Sequence, residues 1–352
     1  MENVNSDNIN EINRGVRKPS IVQVSILYSV CVIVFIFLGN FIDKIKIGDF
    51  YLKGIASEVL LVLVPPLLML LIYRYDFKKV LRLNKISLFN ICIIFFIMLF
   101  AIPAVGALNL VNLLAIKSIF GKTMPSAIPE IANWVDLVKG VIVIAVSAAV
   151  CEEVLFRGVI QRGFERFGAV KSIILTAFLF GLMHQDFQKL LGTFLLGAII
   201  GFIVYRTDSL YGGMAAHFSN NFLSVLLTFG MGKFSQFAKS TGLDRTNAET
   251  DIDKYLSQLL SGPKIELLSV LIVWGIVFLV FIAAFAAIMY AFVVNNPKTA
   301  KNEEQEKGYK LNSLLWLLPG VCMIGFLYLA EGLKLRGVSI EAVTAILRFM
   351  GY

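Results

Sequence analysis

The sequence predicts an all-α protein, a polytopic membrane bundle of about eight or nine transmembrane helices. Three observations predict it. First, 58% of the 352 residues are hydrophobic and only 16% are charged, against about 25% charged in a soluble domain. Second, the mean hydropathy is +0.79, so a core of this size has no charged coat to keep it in water. Third, the apolar residues come in long blocks separated by short basic loops, and one helix needs about 20 apolar residues to cross the hydrocarbon.

The elements follow in order. Residues 1–20 form a polar tail, with Arg14, Arg17 and Lys18 just before the membrane. Apolar blocks then run over 21–42, 54–73, 88–116, 137–164, 170–184, 190–205, 210–230, 265–294 and 311–329. The first is too long for the apolar part of a cleavable signal and has no small-residue exit site, so it is expected to be the first span. Pro65-Pro66 and Pro103 are expected to kink their spans. The fifth and sixth blocks are short and are expected inside the bundle. Gly197 and Gly201, four apart on the sixth, are expected to serve packing within the bundle. Residues 231–264 are the longest polar loop, 295–310 a charged connector, and 331–352 an amphipathic tail at the interface. The domain reading is one transmembrane unit, 21–330, between two tails. No internal repeat of the kind that marks many transporters is visible.

The net charge of +8 does not point to nucleic acid, because the Lys and Arg lie in loops between apolar blocks. There they orient the chain and meet anionic lipid heads. With the N-terminus inside, the inner segments hold seventeen Lys and Arg and the short outer loops six. That asymmetry predicts a cytoplasmic N-terminus. The Lys, Ile and Asn usage suggests a low-GC bacterium, hence a bacterial cell membrane. Cys31, Cys92, Cys151 and Cys322 lie in or beside apolar blocks without a C-x-x-C pair, so neither disulfides nor a thiolate metal site are expected.

An ionisable group in hydrocarbon costs about 2.5–3.5 kcal/mol on insertion scales and is a functional candidate by default. Away from block ends the candidates are Glu152, Glu153 and Arg157 in the fourth block, His184 ending the fifth, and His217 in the seventh. The chain has two histidines, and both are in this set. Glu153 and Arg157 are four apart, share a helix face and can pair. Glu152 points about 100° away, which leaves one carboxylate free to act as a general base. His217 and Asn221 are also four apart, an imidazole and an amide on one face, with Asn220 as the alternative amide. Ala145, Ser147, Ala148 and Ala149 are small enough to let neighbouring helices approach.

Glu152-Glu153-Val154-Leu155-Phe156-Arg157 reads as E-E-x-x-x-R, Phe180 to His184 as F-x-x-x-H, and His217 to Asn221 as H-x-x-x-N. In order and placement these resemble the three motifs of the CAAX-protease and bacteriocin-processing family of intramembrane endopeptidases. The resemblance covers about residues 137–225. It implies an endopeptidase in which Glu152 activates water and His184 orients that water or assists proton transfer. His217 and Asn221 would stabilise the oxyanion, and Glu153 and Arg157 would hold the site together. It implies a hydrophobic, lipidated or membrane-bound peptide or protein as substrate, in CAAX-type processing, peptide maturation or bacteriocin self-immunity. No cofactor is favoured. If a metal such as zinc takes part, Glu152, His184 and His217 are its candidate ligands.

Two other functions compete. A non-catalytic scaffold or regulator on the same fold would hold a membrane peptide without cleaving it, and Glu152→Ala would leave its phenotype unchanged. A proton-coupled transporter would use the Glu and His residues as a relay, and would want the repeat symmetry that this chain lacks.

Overall fold

The computed structural model describes residues 16–44, 48–124, 131–241, 257–258, 261–297 and 311–338, with isolated positions at 341, 343 and 346–347. Among them there is no strand. Nine long helices appear in the order of the nine apolar blocks: α1 Ile21–Lys44, α2 Phe50–Ile72, α3 Leu88–Phe120, α4 Trp134–Phe167, α5 Ala169–Met183, α6 Leu190–Thr207, α7 Leu210–Ser240, α8 Lys264–Asn295 and α9 Leu311–Leu335. Seven are long and apolar enough to cross a membrane. The other two are α5, which has 15 residues, and α7, whose apolar face is diluted by His217, Ser219, Asn220 and Asn221.

Polar residues set the helix starts. The side chain of Asp49 accepts from the Leu52 amide at α2, that of Ser87 from Asn90 at α3, and that of Asn133 from Val135 and Asp136 at α4. Each satisfies an amide that the first turn leaves without an intrahelical acceptor. Gly121 ends α3 at φ +82°, where a side chain would be strained.

Two helices depart from α winding where it bears on the site. α2 is π-wound over Glu58–Leu63, just before Pro65 and Pro66, which lack the N–H groups that would bond the Leu61 and Val62 carbonyls. α4 is π-wound over Val141–Ser147 and again over Val154–Ile160, on either side of the α-helical Ala148–Glu153. Such π turns recur at functional sites.

The helices pack in two larger apolar groups and a smaller one between α4 and α7 around Leu137, Val225 and Phe229. One of the larger groups joins α1, α2, α4, α5 and α9 around Tyr28, Leu155, Phe156 and Phe164; the other joins α3, α6, α7 and α8 around Ile94, Ile97, Ile203 and Phe292. α7 lies along α4 and ties the groups together. α8 buries Phe292 alone and turns Ile272, Val273 and Leu279 outward, a surface suited to lipid.

Charges collect at the two ends, as helices of alternating direction require. At one end Glu165 pairs with Lys18 at 3.0 Å, with Arg162 at 2.7 Å and with Arg82. Arg82 also meets Asp208 at 2.7 Å. At the other end Lys139 meets Asp49 at 2.7 Å, and its hydrogen bond holds the Asp49 carboxyl below the usual carboxylate range.

Two boundaries move. The polar loop expected from residue 231 starts later, because α7 continues to Ser240; Phe234, Phe237 and the absence of proline let the helix propagate. Residues 242–256 of that loop lie outside the described residues. Likewise α9 runs to Leu335, through the start of the expected tail at 331, and most of 339–352 lies outside the described residues. So do residues 1–15 and 298–310.

Candidate functional site

The site is built on α4, α5, α6 and α7, with one contribution from α2. At its centre Arg157 and Glu153, both fully buried, form an ion pair between Nη1 and Oε1 at 2.7 Å. Arg157 is the largest of the fully buried side chains. Its Nη2 donates to the Gly197 carbonyl on α6 at 3.0 Å, and its guanidinium lies 4.4 Å from the centre of the Phe180 ring on α5. One buried cation thus has a charge partner, a carbonyl and an aromatic face, which together offset its desolvation.

The buried His217 places Nδ1 2.9 Å from the same Glu153 Oε1. With its carboxylate partner fixed by Arg157, Nδ1 is the donor and Nε2 is turned away from Glu153. The other oxygen, Glu153 Oε2, is buried without a hydrogen-bond partner. Gly213 on α7 makes room for it: a Cβ there would stand 2.7 Å from Oε2 and 2.6 Å from Val204 Cγ2.

His184 caps α5 and is exposed. Its Nδ1 lies 2.9 Å from the Phe180 carbonyl. A carbonyl only accepts, so Nδ1 carries the proton and Nε2 offers a lone pair outward. The Phe180 ring meets both histidines edge-on, at 4.8 Å from His184 and 5.7 Å from His217 between ring centres. The turn after His184 is tied to α3, where Asn112 Nδ2 donates to the Phe187 and Gln188 carbonyls and Asn109 Oδ1 accepts from the Gly192 amide.

Asn221 Nδ2 donates to the Ile144 carbonyl in the first π turn of α4 at 2.7 Å, and its Oδ1 accepts from Asn220 Nδ2 at 2.8 Å. Of the two amides, Asn221 is therefore the one that faces α4. It keeps one N–H beyond that bond. Glu152 is half-buried, and its charge is felt by Glu58 on α2, by Cys151 and by Arg157.

The structure thus brings Glu153, Arg157 and His217 into direct contact, joins His184 to them through Phe180, and sets Asn221 against α4. Gly197 and Gly201 prove to be contacts within the bundle. A Cβ on Gly197 would meet Phe180 at 3.0 Å, and one on Gly201 would meet Gln161 Oε1 at 2.9 Å. Sequence reasoning missed two residues. Gly213 carries no motif signal, since its neighbours belong to other helices. Glu58 was passed over because it lies near the start of its apolar block; a scan counting every carboxylate inside a span would have found it.

Of the expected metal ligands, Glu152 is half-buried, and His184 and His217 each have Nδ1 engaged, which leaves Nε2 as the nitrogen that could meet an ion. Among the described residues no three of His, Cys, Asp and Glu stand as ligands of one ion. These residues therefore do not fit the closed or three-ligand sites typical of zinc.

The buried Glu153–Arg157–His217 network thus lies inside a bundle of helices, seven of them long and apolar enough to cross a membrane. Residues 134–223 match the family described as type II CAAX prenyl endopeptidase, Rce1-like, and on that segment the chain is similar to this family of membrane proteases. The matched segment is about a quarter of the chain and runs from the start of α4 into α7. Comparison with curated proteins and with solved structures returned no match.

Proposed function

We propose that this chain hydrolyses a peptide bond in a hydrophobic or lipidated membrane-bound peptide through a water activated by Glu152. The observation that carries the proposal is the division of labour between adjacent carboxylates. Glu153 is fully buried and committed to Arg157 and His217, while Glu152 is half-buried and turned from that pair.

In this reading the Glu152 carboxylate takes a proton from water, and the resulting hydroxide attacks the scissile carbonyl carbon. His184 Nε2 accepts the second hydrogen of that water and orients it. The negative charge that forms on the carbonyl oxygen is met by the remaining N–H of Asn221 and by the Nε2–H of a protonated His217, whose charge Glu153 balances through Nδ1. Donors placed where charge develops are commonly the largest contribution to such a reaction. Glu152 then passes its proton to the leaving nitrogen, the C–N bond breaks, and a new carboxyl terminus and a new amine are released. Arg157 and Phe180 hold the network and touch no reacting atom.

A chain that cleaves within the bilayer meets its substrates there, so tails with prenyl or acyl chains and segments of membrane proteins are the expected class. The test is cleavage of a library of hydrophobic and prenylated peptides by the full chain in nanodiscs, read by mass spectrometry. Products from wild type and none from Glu152→Ala support the reading. Equal products from both overturn it, and a Glu152→Ala chain that keeps its cellular role would favour a scaffold.

A further inference from the structure

Glu58 is a carboxyl that the reaction above does not use. It opens the π-wound turn of α2, which packs on the α4 segment Ala148–Glu153. Small residues allow the close approach: a Cβ on Gly54, one turn earlier, would lie 2.9 Å from Val143 Cγ1 on α4, and Ala148 and Ala149 are buried beside it. Glu58 Oε2 is buried without a hydrogen-bond partner. Glu152, on that α4 segment, is the charged group whose field its carboxyl senses.

An unpartnered carboxyl oxygen in a membrane interior is costly. If this position served packing alone, leucine would fill it at lower cost, because buried polar groups are often replaced by apolar ones without loss of stability. The π turn places Glu58 on the stretch of α2 that packs against the α4 segment carrying Glu152, and α2 lies outside the matched residues 134–223.

We infer that Glu58 is a positioning residue for hydrolysis: from α2 it hydrogen-bonds the Glu152 carboxyl or the water that Glu152 activates, and so fixes the direction from which that water attacks. The inference rests on the reading of Glu152 as the base. It makes the site a product of two parts of the chain, the matched segment and the helix pair that precedes it.

The test compares wild type, Glu58→Gln, Glu58→Leu and Glu152→Gln as full chains in nanodiscs, on the hydrophobic peptide that wild type cleaves best. The readouts are kcat, KM and Tm. Glutamine keeps a donor and an acceptor; leucine keeps only volume. The expected result is a kcat about 10- to 100-fold lower in Glu58→Leu, within the range of one positioned hydrogen-bonding group. KM should stay near that of wild type, Tm should equal or exceed it, and kcat should be largely restored in Glu58→Gln. Unchanged kcat in Glu58→Leu overturns the inference. So does a fall in kcat accompanied by a fall in Tm, which would make Glu58 structural. Unchanged kcat in Glu152→Gln overturns the reading beneath it, a distinct result. A measurement without substrate stands beside these: in infrared difference spectra, Glu58→Leu should shift the carboxyl band that Glu152→Gln removes. An unshifted band also overturns the inference.

Discussion

His217 Nδ1 and Arg157 Nη1 converge on one oxygen, Glu153 Oε1, at 2.9 Å and 2.7 Å. Glu153 is thereby the joint between α4 and α7, and the histidine reaches its place through a carboxylate that the arginine has already fixed. The two glutamates of the E-E pair are placed differently by this contact: Glu153 is buried and held by Arg157 and His217, and Glu152 is half-buried.

The first prediction concerns that joint. Removing one partner from a buried ion pair strands the other and costs about 3–5 kcal/mol. Glu153→Ala and Arg157→Ala should each lower Tm sharply and abolish cleavage. The double variant should lose much less than the sum of the two, the signature of direct coupling. A double-mutant cycle on thermal unfolding in nanodiscs measures it, and additive losses would contradict the pairing.

Gly213→Ala should disturb the site from a residue outside all three motifs. Its Cβ would press on Glu153 Oε2 and Val204 Cγ2, a crowding that costs about 1–3 kcal/mol. Activity should fall further than stability does, because Glu153 cannot move without moving His217. Comparing kcat with Tm for this variant checks the point, and a neutral result would mean that the Glu153 cradle is loose.

Asn221→Ala should lower kcat by about 100- to 1000-fold, the effect of losing one oxyanion donor, with KM within a few-fold of wild type. Asn220→Ala should fall much less, because Asn220 donates to Asn221 rather than to α4. Steady-state kinetics on the two variants separates the neighbours, and equal losses would contradict the assignment.

Phe180 should resist replacement despite carrying no polar group. Phe180→Ala removes the face under Arg157 and the contact with both histidine rings, and truncating a buried Phe costs about 3–5 kcal/mol. Phe180→Leu should recover most of the stability but not the turnover. Parallel Tm and kcat measurements check this, and full turnover in Phe180→Leu would make the ring mere filling.

Most of the bundle is legible in the sequence because each span must satisfy its own backbone and face lipid, so it advertises itself as an apolar block. All nine helices stand where the blocks put them. The Glu153–Arg157 pair was legible for a similar reason: a four-residue spacing is a local rule that needs no tertiary information. What could not be read depends on contacts between helices. His217 looked like the partner of Asn221 because both lie on α7, yet its hydrogen bond goes to Glu153 on α4. Gly213 and Glu58 matter through what α4 places opposite them. The end of α7 was misplaced because residues 231–240 are polar but still helical: polarity marks exit from the hydrocarbon, and the helix need not stop there.

We propose that Glu152 activates the attacking water without a metal. The most direct measurement is kcat and substrate affinity for wild type and Glu152→Gln on one cleaved peptide, each with and without a strong chelator. The kcat of Glu152→Gln should be about 100- to 10,000-fold lower, the scale of a lost general base. Affinity should be nearly unchanged, and wild-type turnover should be indifferent to the chelator. Wild-type turnover that persists in Glu152→Gln, or that disappears with the chelator and returns with added zinc, would contradict it.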